Sequence, residues 1–141
     1  MATKKQDLKM GKIAEDETIP ILNEYFKTIF KKNENAYGVI DFFNEDKTIY
    51  IELKARRLKH NQYETAMIGQ NKIRYYKNLK DCACYLCFKY IDGLFIIKYD
   101  KELFKTFKME TIKINFRQDV GRAEFSDVLY IPYIHLIKIK D

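Results

Sequence analysis

Over residues 48–55 the chain alternates strictly, with Ile49, Ile51 and Leu53 on one side and Tyr50, Glu52 and Lys54 on the other. A period of two belongs to a β-strand whose faces meet different surroundings. A second apolar run, 37–43, precedes it across the polar turn Asn44-Glu45-Asp46-Lys47, and two runs so joined predict a hairpin with strands at about 37–43 and 48–55. If the turn pairs Phe43 with Thr48, Asp41 stands opposite Tyr50 and diagonal to Glu52, on one face at roughly 7–8 Å between backbones.

The rest of the chain packs around that hairpin. Ile21, Leu22, Tyr25, Phe26, Ile29 and Phe30 recur at helical spacing, so residues 11–32 read as a helix with Pro20 as a kink or late start. A polar loop at 58–64 leads into a helix predicted at about 66–80. Strands follow at 82–90 and 94–99, joined by a tight turn at Asp92-Gly93. Residues 101–107 make one or two helical turns, and further strands are expected near 109–117 and 128–139. The order predicts a mixed α/β fold with a central sheet flanked by helices and extra C-terminal β-strands. With two prolines, five glycines and no repeat in 141 residues, a single domain over 1–141 is expected.

Composition removes several classes. A hydrophobic share of 47 % excludes disorder over the whole length. No apolar run approaches the ~18 residues of a membrane span and the start lacks a secretory signal, so an intracellular protein without a membrane partner is expected. Cys82, Cys84 and Cys87 are too few and too crowded for a disulfide framework, and strand alternation points Cys87 away from the other two; buried free thiols are expected, not zinc. His135, among Ile131, Tyr133, Ile137 and Ile139, reads as a core histidine. The last strand is apolar on both faces, as a buried central strand or a homodimer interface would be.

Charge is local. The net +6 resolves into eight basic residues and one acid between Lys54 and Lys80, a net +7, while the remainder stands at −1. Such a concentration suits a phosphate-binding surface. Arg56, Arg57, Lys59 and His60 follow the second hairpin strand, where they could hold backbone phosphates; Gln70, Asn71, Arg74 and Lys77 extend the surface along the next helix.

On the polar hairpin face, Asp41 and Glu52 can converge on one divalent cation. A hard ion such as Mg²⁺ takes oxygen ligands at ~2.0–2.1 Å and keeps several waters, so two carboxylates and a backbone carbonyl such as that of Leu53 suffice. Lys54, pointing the same way, could orient an attacking water or offset transition-state charge.

Asp41, ten intervening residues and then Glu52-Leu53-Lys54 resemble the P-D-x(n)-(D/E)-x-K signature of the PD-(D/E)xK nuclease superfamily. Ile40 stands where that signature has proline. Gly11-Lys12-Ile13-Ala14-Glu15 is similar to the G-x-x-A-E opening of archaeal Holliday-junction resolvases, in which the glutamate completes the metal site. Helical periodicity agrees: Glu15 falls about 30° from the centre of the apolar stripe and Glu17 about 130° away. The resemblance covers about residues 11–90, leaving a C-terminal β extension at about 100–141. It implies a restriction-endonuclease-like sheet, a Mg²⁺ or Mn²⁺ cofactor, metal ligation by Asp41, Glu52 and Glu15, and a 5′-phosphate product. Lys72, on the sheet-facing stripe of the second helix, becomes a second cation for the scissile phosphate.

The expected function is a metal-dependent endonuclease acting on DNA, selective for junctions, flaps or ends, in repair, recombination or replication. The alternatives are a non-catalytic nucleic-acid-binding or assembly protein on the same fold, and an RNA-cleaving enzyme. Abundant Lys, Ile, Asn and Tyr fit an AT-rich genome such as that of a virus or mobile element.

Overall fold

The computed structural model describes residues 4–34, 40–117 and 122–141; the first part of the expected strand at 37–43, residues 37–39, lies outside them. The element order is α1 (Lys4–Phe26), β1 (Phe30–Lys32), β2 (Phe42–Asn44), β3 (Ile49–Ala55), β4 (Thr65–Gly69), α2 (Gln70–Lys77), β5 (Ala83–Tyr90), β6 (Gly93–Lys98), α3 (Lys101–Phe104), β7 (Lys108–Arg117), β8 (Arg122–Pro132), a 3-10 turn (Tyr133–His135) and β9 (Ile137–Lys140). A six-stranded sheet runs β1-β2-β3-β5-β6-β9, and β4-β8-β7 form a smaller sheet. In the large sheet β3 and β5 pair parallel and every other neighbouring pair is antiparallel. This is the mixed α/β, restriction-endonuclease-like architecture expected from the hairpin and the helices around it.

The alternation in β3 sorts the core into two layers. Ile51 and Leu53 pack with Ala14 and Leu22 of α1, Phe42 and Cys87, so α1 covers that face. On the other face Leu86 and Phe88 of β5 pack with Ile73 and Tyr76 of α2 and with Ala66, Ile68, Leu129 and Ile131 of the small sheet. The face expected to be polar is therefore roofed, and Glu52 is only 2 % exposed.

Several boundaries differ from the sequence reading; among them, the first helix begins at Lys4 and not at residue 11, and β8 begins at Arg122 and not at residue 128. The first helix ends at Phe26 and not near residue 32: Lys27 turns left-handed (φ 54°), and the Phe30 N–H donates to Asn23 Oδ1 at 2.8 Å, starting β1. Pro20 sits inside the helix without ending it. Residues 65–69 form a strand and not a helix start, because Ala66 and Ile68 alternate inward while Met67 is exposed, and β8 offers a partner. The strand expected at 128–139 is two strands: β8 ends at Pro132, the chain turns, and β9 joins the edge of the large sheet beside β6. β8 itself is the central strand of the small sheet, while His135 lies on the turn, half-buried, 5.4 Å from the Phe107 ring. The β5–β6 hairpin turns at Ile91-Asp92, with Gly93 already paired to Tyr90. Gly93 (φ +151°) answers the close approach of β9, since a Cβ there would come within 2.7 Å of the Lys140 carbonyl oxygen.

Candidate active site

The register of the hairpin differs from the one the sequence suggested. Phe43 pairs with Tyr50, two residues beyond the expected Thr48, because Asn44 Oδ1 accepts from the backbone N–H of both Thr48 and Ile49 at 2.9 Å and widens the turn. A shift of two preserves the faces. Asp41 lies one residue beyond the last registered pair, Phe42 opposite Ile51, and its N–H donates to the Ile51 carbonyl at 3.1 Å. There the hairpin opens: the Asp41 carbonyl accepts from Asn33, and its Oδ2 accepts from the Leu53 N–H at 2.7 Å. The Asp41 side chain thereby replaces a ladder bond and is held at the strand end. Because N–H and C=O of one residue in an extended strand point to the same edge, the Leu53 carbonyl faces that opening too.

Glu52 lies beneath α2. Its Oε1 is 3.2 Å from Lys54 Nζ and 3.0 Å from Lys72 Nζ, the latter reaching down from the first turn of the helix. Its Oε2 is buried with no hydrogen-bond partner. Burial, followed by the nearby charge of Asp41, pushes the Glu52 carboxyl up to about 7 against the opposing pull of Lys54 and Lys72. Glu15, on the sheet-facing side of α1, is also raised, first by burial and then by Asp41, while Lys32 at 3.8 Å opposes the shift. Asp41 thus disfavours the charged form of both Glu52 and Glu15, while Lys54 and Lys72 approach Glu52.

That arrangement fits a divalent cation. A buried carboxylate oxygen without a partner is costly, and a hard ion taking oxygen ligands would satisfy it. Among the described residues no group of three or more His, Cys, Asp and Glu side chains is already gathered as a ligand set. The fit therefore rests on Asp41 and Glu52, the Leu53 carbonyl, and water.

The residues expected at a nucleic-acid surface divide into two sets. Arg56 is half-buried and donates to the Met67 carbonyl at 3.2 Å, fastening the end of β3 to β4; burial lowers its pKa. His60 Nδ1 lies 2.6 Å from Asp92 Oδ2, and the ring stacks on Phe95 at 4.4 Å between centroids. Gln70 Nε2 donates to the Val128 carbonyl at 3.0 Å, and Arg74 pairs with Asp127 at 3.2 Å. These four bind the protein to itself. Arg57, Lys59, Asn71 and Lys77 are exposed.

Two neighbours of the site escaped the sequence reading. Lys32 was assigned to the first helix, which hid its approach to Glu15 from β1. Tyr76 is 2 % exposed and donates from its hydroxyl to the Tyr85 carbonyl at 2.6 Å. Its pKa stands well above the ordinary value, first from burial and then from the charge of Glu52. Its helical spacing from Lys72 was the available signal.

Residues 12–141 match the sequence model of a family described as phage putative PDDEXK endonuclease. No curated protein matches the chain. No helix among the described residues is long and apolar enough to cross a membrane.

Proposed function

The chain belongs to the phage PDDEXK endonuclease family, a family of nucleases, and we propose that it is a Mg²⁺- or Mn²⁺-dependent endonuclease that hydrolyses phosphodiester bonds in DNA. The observation that carries this reading is the treatment of Glu52: one oxygen holds Lys54 and Lys72, the other is buried without a partner, and Asp41, bound to the Leu53 N–H, is near enough for its charge to act on the same carboxyl. Asp41 and Glu52 would hold the cation with the Leu53 carbonyl, and Glu15 would support it from α1. When bound, such an ion supplies positive charge at the scissile phosphate and lowers the pKa of water.

The chain's own groups do the rest. Lys54 orients the attacking water, holding its lone pair toward phosphorus. Lys72 carries positive charge to the non-bridging phosphate oxygens as the negative charge grows. Attack forms the new P–O bond and breaks the bond to the leaving 3′ oxygen, which takes a proton, so the product keeps a 5′ phosphate. Exposed Arg57, Lys59 and Lys77 contact phosphates flanking the cut. Contacts of that kind read backbone and shape, which favours junctions, flaps or ends over a fixed base sequence. A role in phage DNA repair, recombination or replication follows.

The test is to incubate labelled linear, flap and four-way-junction DNA, and matched RNA, with Mg²⁺, Mn²⁺ or EDTA. Cutting of DNA by the wild type that requires the cation and is lost in Lys54→Ala supports the proposal. Cutting that survives Lys54→Ala overturns the site. Binding with no cutting of any substrate favours a non-catalytic role, and cutting confined to RNA reassigns the substrate.

A further inference from the structure

α2 has eight residues, Gln70–Lys77, too few for a helix to be stable by itself in water. Its position is set by what its faces touch. Toward the small sheet, Gln70 donates to the Val128 carbonyl and Arg74 pairs with Asp127, both on β8. Toward the large sheet it turns Lys72, Ile73 and Tyr76; Ile73 and Tyr76 are buried, and Lys72 reaches Glu52 Oε1 at 3.0 Å. Apolar packing such as that of Ile73 is non-directional and does not fix how far the helix lies along the strands. A hydrogen bond to one particular backbone group does.

The Tyr76 hydroxyl makes such a bond, donating to the Tyr85 carbonyl of β5 at 2.6 Å. Tyr85 adjoins Glu52, because β3 and β5 pair parallel with Glu52 opposite Leu86, the residue after Tyr85. Successive residues of a strand aim their N–H and C=O groups at opposite edges. The Leu53 N–H faces β2, where Asp41 accepts it, so the Glu52 N–H faces β5 and the Tyr85 carbonyl. Burial and then the Glu52 charge raise the pKa of the Tyr76 hydroxyl, and a backbone hydrogen bond from Glu52 pulls it the other way. Tyr76 and Lys72 are four residues apart and share one helix face. The phenol tip thus rests on the seam between β3 and β5 at the residue whose carboxylate Lys72 holds.

We propose that Tyr76 is a positioning residue for cleavage: its hydroxyl pins α2 to the β3–β5 seam at Glu52 and so sets where Lys72 Nζ stands relative to the Glu52 carboxylate and the scissile phosphate. The inference rests on the nuclease reading above. Tyr76 is buried and acts through Lys72, not on the substrate. A lysine head travels on a flexible four-carbon stem, so its working position depends on where the stem is rooted. A misplacement of about 1 Å can cost up to about 10²-fold in rate. Phenylalanine at this position keeps the ring, with its packing against Tyr99 at 5.9 Å, and removes the anchor alone; the Tyr85 carbonyl still faces the Glu52 N–H.

The test compares Tyr76→Phe with Ile73→Val, which loosens the same face of α2 without touching a hydrogen bond. Three quantities are measured for each: single-turnover cleavage of DNA in Mn²⁺, DNA affinity in EDTA, and acylation of Lys72 by a soluble amine-reactive ester, with exposed Lys77 as the reference. Tyr76→Phe should cleave about tenfold more slowly with affinity changed by less than about twofold, and its Lys72 should be acylated severalfold faster while Lys77 is unchanged. Combined with Lys72→Met it should cause no further loss of rate, because the two changes act through one group. Ile73→Val should lose less than about twofold in rate. An unchanged rate in Tyr76→Phe overturns the proposal, as do an equal loss in Ile73→Val, unchanged acylation of Lys72, or losses that multiply with Lys72→Met. Unfolding of Tyr76→Phe, seen by circular dichroism, makes the hydroxyl a structural group and overturns it too. If the wild type cuts neither DNA nor RNA, the nuclease reading fails, and the acylation of Lys72 decides the anchor by itself.

Discussion

Lys72 Nζ lies 3.0 Å from Glu52 Oε1, a contact that joins the first turn of α2 to the middle of β3. It brings a second cation onto an oxygen already held by Lys54 at 3.2 Å. Two lysines from different elements therefore converge on a single buried carboxylate.

The two lysines predict different kinetic losses. Lys54→Ala should lower single-turnover cleavage by about 10²–10³-fold, the usual cost of removing one charge-stabilising group, while DNA affinity in EDTA changes little. Lys72→Met removes one of the two cations that hold the Glu52 carboxyl down. It should therefore lower the rate and also move the acidic limb of the pH–rate profile to higher pH. A profile that falls in height without moving would show that Lys72 does not act on Glu52.

Glu52 makes stability depend on pH in a definite direction. Its carboxyl titrates near 7 when folded against an ordinary 4.5. The folded chain holds that proton more tightly, so burial of the group is tolerated below about pH 4.5, and its cost grows to its full value above pH 7. The full cost is about 3 kcal/mol for a shift of this size. Glu52→Gln should raise the Tm of the metal-free protein at pH 8, leave it nearly unchanged at pH 4, and abolish cleavage. A lower Tm at pH 8 would contradict the unpartnered state of Oε2.

Cation binding should reverse that cost. Saturating Mn²⁺ or Mg²⁺ stabilises the folded state by mass action, about 2.7 kcal/mol at a hundred times Kd. A thermal shift assay should show a rise of several degrees for the wild type and none for Asp41→Asn. An equal rise in both would place the cation elsewhere.

Phosphate contacts are expected from the exposed basic residues Arg57, Lys59 and Lys77. Charge reversal at Arg57 and Lys59 together should weaken DNA binding about tenfold and flatten its salt dependence, whereas Lys9→Glu should have little effect. Arg56→Ala should act on stability, costing roughly 1–2 kcal/mol through the lost bond to the Met67 carbonyl. Equal binding losses from Lys59→Glu and Lys9→Glu would remove the directional surface.

Much of this was legible locally. Strict alternation over 48–55 assigned Glu52 and Lys54 to one face, and no register that preserves the burial of Ile51 and Leu53 could undo it. Helical periodicity likewise turned Glu15 toward the sheet. The second helix was harder, because Ile68 suits a helical stripe and an alternating strand equally well, and only pairing with β8 decides between them. The basic segment shows the same division. Eight cations can be counted between Lys54 and Lys80, but Arg56, Arg74, Lys54 and Lys72 are engaged by partners distant in sequence or by a buried carboxylate.

By itself the order of residues determined the hairpin, its polar face, the helix before it and the residue types that suit phosphodiester chemistry, because each of these follows from spacing within a few residues. Only the tertiary structure decided the rest. Asn44 set the turn and so the register of the hairpin, and the roof of α2 and the small sheet buried Glu52 and left Oε2 without a partner. The early end of β4 left the outer residues of β8 paired with β7. Desolvation depends on what closes over a group, and closure depends on contacts tens of residues apart, which no local period encodes.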